Sequence, residues 1–467
     1  MSHSPLHLIW FRNDLRLNDN PALFNAAKAG SVVGVFFICE KQWQEHNDSP
    51  VKLGLIADRL REFSKELKQK NIPLKIIAVD YFTEIPGKLA QFCKKHAIHD
   101  LWFNNEYPLN EKKRDDQTEQ ELKKISVTSH RFNGDVILPP GSVLNNSGSM
   151  FQVFTPFSNA WRLRANPEIL TVFKSPRKQS ELTIESDEIP QFGGEYRTDL
   201  WKVTTKSIHS RLHKFVERSE QSYKELRDFP AINATSTLSP YLTIGAVGIR
   251  ECIQVLIETN SDEAFHRQWL TELIWREFYR HLMATNPRLS QGLCFKPVAD
   301  NLQWQVNESN FQRWCDGKTG FPIVDAGMRQ LKQTGWMHNR VRMITAAFLT
   351  KLLRIDWRLG EAHFMQHLMD GDFASNNGGW QWSASVGADS VPYFRIFNPY
   401  RQAEKFDPQG NYVRKFVPEL SSINDKKIHQ PSTLSCETLG YPNPMIDYAS
   451  ERKKTLAIWS EFLNTAR

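Results

Sequence analysis

Residues 370–382 read DGDFASNNGGWQW, which sets two aspartates, two asparagines, three glycines and two tryptophans within thirteen positions. Asp, Asn and Gly favour turns and helix ends and weaken a continuous helix. Two tryptophans this close together require large apolar burial with partners for their N–H groups. The mixture suits the wall of a polar and aromatic pocket, and it suits equally a polar turn between core helices. No Ser, Cys or His in it has the neighbours of an activated nucleophile, so chemistry at such a pocket belongs to a bound cofactor.

Outward from this stretch the chain reads as helical. From Trp201 onward strand signals nearly vanish, and amphipathic runs dominate at 206–218, 249–258, 265–284, 325–334, 341–354 and 360–369. The first 130 residues differ. Apolar, β-rich runs at 6–11, 31–39, 73–79 and 100–104 alternate with Lys/Glu-rich amphipathic segments such as 51–70 and 111–124. That order predicts a doubly wound parallel sheet, Rossmann-like, with helices on both faces and right-handed crossovers. No G-x-G-x-x-G follows the first strand, so the dinucleotide fingerprint is absent and the scaffold alone assigns no ligand. Residues 139–200 break up into Pro, Gly, Ser and Asn, which reads as a long connector ordered by what it covers. The expected organisation is α/β over 1–132, a connector over 133–200 and an all-α domain over 201–467.

With 467 residues, 24% of them charged, the chain is long enough for two or three domains. Its longest apolar run, 32–39, is too short to cross a bilayer, and the N-terminus lacks the pattern of a secretory signal, so a cytoplasmic location is expected. Six cysteines are scattered singly, with no Cys-x-x-Cys, which argues for reduced thiols and against a zinc site or a disulfide framework. The net charge of +7 is uneven: from Phe265 onward 25 Lys+Arg face 19 Asp+Glu, leaving +6 there, and nine of the fourteen tryptophans lie there too. Basic surface with interleaved aromatics is what a nucleic acid requires, since cations neutralise phosphate and rings accept unstacked bases.

Three further constellations stand out. TSTLS, Thr235 to Ser239, sets hydroxyls and free N–H groups at a helix entry, which fits either phosphate binding or ordinary capping. QWLTELIWREFYRHL places Glu272, Trp275, Arg276 and Tyr279 on adjoining parts of one helical face, as a binding stripe or as a structural ion pair beside a packed Trp. In TGWMHNRVRM, Asn339, Arg340, Arg342 and Met343 fall within about one turn; Arg342 can pair with Asp370 or Asp372, and Arg340 can face phosphate. His338 beside them reads as a structural histidine.

Taken together with WFRNDLRLNDNPAL at Trp10, KQWQEHNDSP at Lys41, VFTPFSNAW at Val153, RDFP at Arg227 and PYFRIFNP at Pro392, these motifs resemble the photolyase/cryptochrome family, in that family's order from the first strand nearly to the C-terminus. Among its branches the chain is most similar to bacterial class I cyclobutane pyrimidine dimer (CPD) photolyases. The resemblance implies a carbon–carbon lyase that repairs UV-damaged DNA with blue light: excited reduced FAD gives an electron to a flipped-out dimer, the cyclobutane ring opens and the electron returns. It implies FAD contacts at Tyr223, Thr235, Ser236, Thr237, Leu238, Ser239, Arg276, Asn339, Arg342, Asp370, Asp372 and Asn376. The family often carries Arg where Thr237 stands, and Asn376 matches the residue beside flavin N5, where a neutral amide suits an anionic reduced ring.

By the same resemblance, Glu272, Trp275, Asn339, Met343 and Trp382 recognise the lesion. Arg276, Tyr279, Arg340, Arg395, Arg401, Gln402 and Lys405 are implied DNA contacts, those to the backbone positioning it without specifying sequence. Trp380, Trp357 and Trp304 match an electron-transfer chain that runs from the flavin to the surface. His46, Asn110 and Glu111 match antenna positions of folate-binding members and imply methenyltetrahydrofolate, although Gln291 stands where those members often have Lys, with Lys296 nearby. A signalling cryptochrome is the rival from another class, and a (6-4) photolyase the nearer one, but the latter would carry histidines at Asn339 and Met343. A flavin-free helical DNA-binding module is the third reading. A monomer without an obligate protein partner is expected.

Overall fold

The structure is a computed structural model that describes residues 5–465. Its contacts group the chain into two compact units, Met1–Glu220 with Ser236–Ser290, and Gln221–Thr235 with Gln291–Arg467. The helices of 236–290 therefore belong with the sheet, and the division does not fall near residue 200, where the change of sequence pattern lies.

The first unit is built on five parallel strands, β1 Leu6–Phe11, β2 Ser31–Ile38, β3 Leu74–Ala78, β4 Asp100–Asn104 and β5 Thr128–Phe132, in the order β3-β2-β1-β4-β5. The helices Pro21–Ala29, Pro50–Gln69, Ile85–Lys95 and Leu109–Lys123 form the crossovers. The first two start cleanly because a capping side chain precedes a proline: Asn20 accepts from Leu23 N at 3.1 Å, and Ser49 from Lys52 N at 3.0 Å. The first four strands coincide with the apolar runs of the sequence. The fifth, TSHRF, lies at the sheet edge with no buried residue and carries no such signal.

The connector is more structured than its composition implies. It contains the helix Phe154–Arg164, whose buried residues Phe154, Phe157, Ser158 and Trp161 recur at helical spacing. Further on it covers the exposed edge of β3: Ser186 Oγ accepts from Leu74 N at 3.1 Å, and the Asp187 carboxylate accepts from Ile76 N at 2.9 Å. An edge strand shielded in this way cannot pair with another chain. The loop after β1 ties the sheet to residues 236–290, since Arg16 donates to the carbonyls of Asp19, Gly134 and Gly245 at 2.7 to 3.1 Å. Gly245, at φ +64, has Asn13 backbone where a Cβ would stand. Glu277, on the helix Gln268–Thr285, is buried and accepts from Ile137 N, Leu138 N and Trp161 Nε1 at 2.7 to 2.8 Å, which anchors three points of the connector to one carboxylate.

The second unit is helical, and among the described residues no strand follows β5. Its core holds Trp314, Phe348, Trp357, Phe364 and Trp380. The helix Asn339–Ala347 runs on into a π-helical turn, Phe348–Leu352, and is followed by Trp357–His367. DGDFASNNGGWQW leaves a turn at Asp370 and then forms an uninterrupted helix: Phe373–Ala384, begun by Asp372, whose carboxylate accepts from Ser375 N at 2.9 Å.

Buried polar bonds overcome the low helix propensity of its Asn and Gly residues. Glu361 Oε1 accepts from Asn377 Nδ2 at 2.8 Å, Asn377 Oδ1 accepts from Gln381 Nε2 at 3.0 Å, and Gln381 Oε1 accepts from Phe295 N at 2.7 Å. Glu361, Asn377 and Gln381 are each at least nine-tenths buried, so every link left unmade would cost a desolvation penalty. Burial pushes the Glu361 carboxyl up to about 7. Between the ordinary glutamate pKa and that value the folded chain keeps a proton that the unfolded chain has lost, so stability falls as pH rises through the window and is flat above it. Glu361→Gln is expected to remove this component, on the order of 3 kcal/mol, from the slope of unfolding free energy against pH; an unchanged slope would show that the carboxyl titrates normally.

Candidate cofactor and substrate site

In the helical unit, Arg342 and Asp370 form a two-pronged pair. Arg342 Nη2 lies 2.9 and 2.8 Å from the two Asp370 oxygens, and its Nε donates to the Met337 carbonyl at 2.7 Å. The pairing expected from sequence is thus with Asp370, while Asp372 is used as the helix cap. Asn376 donates through Nδ2 to the Glu361 carbonyl at 3.0 Å, which fixes the amide plane. Asn339 is exposed at the first turn of its helix, and Met343 and Trp382 are partly buried. Tyr223 is buried, with the Arg227 guanidinium 5.3 Å above its ring.

Arg340 is not a free cation. Asp228 accepts from its Nε at 3.3 Å and from Nη2 at 2.8 Å, and its guanidinium lies 4.4 Å over Phe406. Arg395, Arg401 and Lys405 are exposed and Gln402 is half-buried.

Trp304, Trp357 and Trp380 belong to one body of packed side chains: the last two are buried in the core, and Trp304 packs against it. The backbone brings them into sequence. Gln305, next to Trp304, bridges Ile355 at the entry to the helix of Trp357, and Gln305 N donates to the Arg354 carbonyl at 2.8 Å. One turn beyond Trp357, Gly360 leaves the space that the Trp380 ring fills, since a Cβ there would overlap the indole. Trp314 and Phe364 also meet Trp380 edge-on, with ring centroids at 6.0 and 4.9 Å. Sequence reading passed over both; helical spacing from Trp357 to Phe364 was the available signal.

In the sheet-bearing unit, the helix Gln268–Thr285 presents Glu272, bonded to Gln268 Nε2 at 2.8 Å, and Trp275. The Trp275 indole stacks on Phe154 at 3.7 Å with ring planes 7° apart and meets Tyr279 at 5.5 Å, so its orientation is set by a ring of the connector helix. Arg276 donates to the Asp135 carbonyl at 2.7 Å and pairs with the Asp135 carboxylate, which Arg280 shares. The division between units falls between Thr235 and Ser236. Ser236 to Ser239 lead into a short helix, with Thr237 at φ +49 and its hydroxyl accepting from the Arg211 guanidinium. Arg211 lies on the helix Thr205–Arg218 and was not among the expected site residues.

The three expected antenna residues come together in the same unit. His46 Nε2 is 3.0 Å from Asn110 Nδ2, and His46 Nδ1 is 3.6 Å from Glu111 Oε1. Gln42 and Phe82, unexpected from sequence, also touch the imidazole, at 3.0 Å and at a centroid distance of 5.5 Å. Burial pushes the His46 pKa down and lifts the Glu111 carboxyl to about 7, helped by the Glu106 charge. Lys296 bonds Ser390 Oγ at 2.7 Å within the helical unit.

Residues 7–177 match the DNA photolyase family model, and 269–461 match the model of the FAD binding domain of DNA photolyase. The chain is 42% identical over 465 residues to the deoxyribodipyrimidine photo-lyase of Vibrio cholerae, covering 97% of this chain and 99% of that one. It resembles the crystal structure of a bacterial class III photolyase from Agrobacterium tumefaciens, with a TM-score of 0.89, 32% identity and coverage of 99% and 98%. It also resembles an archaeal photolyase from Sulfolobus tokodaii solved with two FAD molecules, with a TM-score of 0.80, 29% identity and coverage of 98% and 100%. The chain belongs to the DNA photolyase family.

Proposed function

We propose that the chain is a deoxyribodipyrimidine photo-lyase, which uses light and FAD to split cyclobutane pyrimidine dimers in DNA. The observation that carries this reading is the 42% identity along nearly the whole of both chains to relatives of that name. When bound in its reduced form, FAD supplies the light-driven one-electron chemistry that opens the ring without net redox change.

The donor set suits that cofactor. Asn376 offers a neutral amide, held by the Glu361 carbonyl, where a carboxylate would repel an anionic ring. Arg342 lies against Asp370, so its charge is balanced and its orientation fixed, and Tyr223, Asn339 and Asp372 complete this unit's contacts. Ser236, Thr237, Leu238 and Ser239, with Thr235 before them and Arg276 beyond, present the hydroxyls, N–H groups and cation that phosphates require. Arg211 contributes a guanidinium to the Thr237 hydroxyl, offsetting the arginine that many family members carry at that position.

For the lesion, Glu272 accepts from an imide N–H and Asn339 donates to a ring carbonyl, while Trp275, Trp382 and Met343 bury the apolar ring faces. Arg395, Arg401, Gln402 and Lys405 meet the DNA backbone; Tyr279 lies beside Trp275; and Arg340, already shared with Asp228, adds only part of a charge. Trp380, Trp357 and Trp304 pass electrons inward from the surface to keep the cofactor reduced. His46, Asn110 and Glu111 hold the antenna, for which a methenyltetrahydrofolate is favoured by the amide and carboxyl groups around His46. The chain acts as a cytoplasmic monomer, with the antenna residues in the unit that carries the sheet. Among the described residues no helix is long and apolar enough to cross a membrane.

Two measurements check these roles. Chemically reduced protein mixed with a thymine-dimer oligonucleotide is expected to restore thymines under blue light and not in the dark; identical dimer content in both would refute repair. Arg211→Gln is expected to weaken FAD retention about tenfold, in line with a lost charge-assisted contact, as read by flavin released on dialysis. Release equal to that of the parent would place Arg211 outside the phosphate site.

A further inference from the structure

A second constellation of titratable groups lies in the sheet-bearing unit, outside every residue assigned above. His7 on β1 stands opposite Asp100 at the start of β4, His99 immediately precedes Asp100, and His130 lies on β5, the strand next to β4. Asp100 Oδ2 is 3.2 Å from His7 Nδ1 and 2.9 Å from His99 Nδ1, and Asp100 Oδ1 is 3.6 Å from His130 Nε2. The ligand atoms of His7, His99 and Asp100 all lie within 4.8 Å of one another.

His7 is only 2% exposed, and its ring nitrogens have only the Ala29 backbone and the Asp100 carboxylate, 3.2 Å from Nδ1, to meet them, neither in well-aligned hydrogen-bond geometry. Its Nε2 lies against Gly30, which leaves Nδ1 aimed at the carboxylate. An imidazole with poorly aligned partners at this depth carries a desolvation cost that a ligand would relieve. The His99 side chain, 66% exposed, leaves a route from solvent.

We propose that His7, His99 and Asp100 bind a divalent transition-metal ion, best matched by zinc, with His130 or water in the fourth position. Two imidazole nitrogens and one carboxylate are a usual zinc donor set, and they disfavour the all-oxygen cations magnesium and calcium. The site is separate from the antenna cluster: His46, Asn110 and Glu111 follow the carboxyl ends of β2 and β4, where open α/β sheets bind their ligands, whereas this cluster lies at the amino ends. An ion there would link β1 and β4, with β5 joined through His130, and so stabilise the sheet. The scattered cysteines, read as evidence against a zinc site, leave this histidine and carboxylate route untouched.

The test uses the full-length, flavin-loaded chain, stripped with EDTA and titrated calorimetrically with zinc sulfate in a non-chelating buffer. His3 is replaced by Ala in all variants to remove a separate histidine near the N-terminus. One zinc per chain is expected, accompanied by a rise in the thermal midpoint. His99→Ala and Asp100→Asn are each expected to weaken zinc binding at least about tenfold and to abolish the rise, with the flavin spectrum reporting that both variants are folded. His367→Ala, in the other unit, should change neither. No zinc isotherm, or one that survives both site substitutions, would overturn the proposal and leave a proton-sharing cluster only.

Discussion

The helix Phe373–Ala384 exists because its polar residues find partners inside the protein. Two asparagines and two glycines in succession would not hold a helix in water. Here Asp372 caps the start, Glu361 receives Asn377, and Gln381 reaches the backbone of Phe295. Each bond is modest alone, but the groups are buried, so breaking any one strands its partner. The side chains proposed to serve the cofactor ride on this framework: Asn376 is held by the same Glu361 residue, and Trp380 nests over Gly360 one residue before it.

A second fixed point serves the other unit. Glu277 lies on the helix that carries Glu272, Trp275 and Arg276, and it accepts three N–H bonds from the connector and its flanks. The connector helix thereby held against it supplies Phe154, on which Trp275 lies flat. A buried carboxylate and a stacked ring together orient the indole proposed to receive a base, so rigidity at a distance sets the geometry of the Trp275 ring.

Much of this was legible in the sequence, for identifiable reasons. The inner strands β1 and β2 are almost wholly apolar because both faces of a parallel sheet are covered there. The edge strand TSHRF is hidden because it buries nothing fully, and its pairing with β4 is a tertiary fact. Residues 370–382 read as a pocket wall or as a polar turn, and not as a continuous helix, because propensity counts Asn and Gly as breakers, and the hydrogen bonds that overrule it come from residues up to 86 positions away. The Arg342–Asp370 pair was among the readable contacts, while Arg340 turned out to be bound to Asp228, a residue of the RDFP motif whose nearness no spacing discloses. Phe154, Arg211 and Gln42 were missed for the same reason, since each acts on a residue distant in sequence or one turn away in a short helix.

The central claim is that the polar helix beginning at Asp372 is one wall of a flavin site and not a polar seam within a core. The absorption spectrum of the purified chain, with flavin content determined after denaturation, tests it most directly. One FAD per chain, retained through gel filtration and reduced in Asn376→Ala or Asp370→Ala, is the expected result. A colourless chain that takes up no added FAD, or flavin whose retention ignores both substitutions, would contradict it.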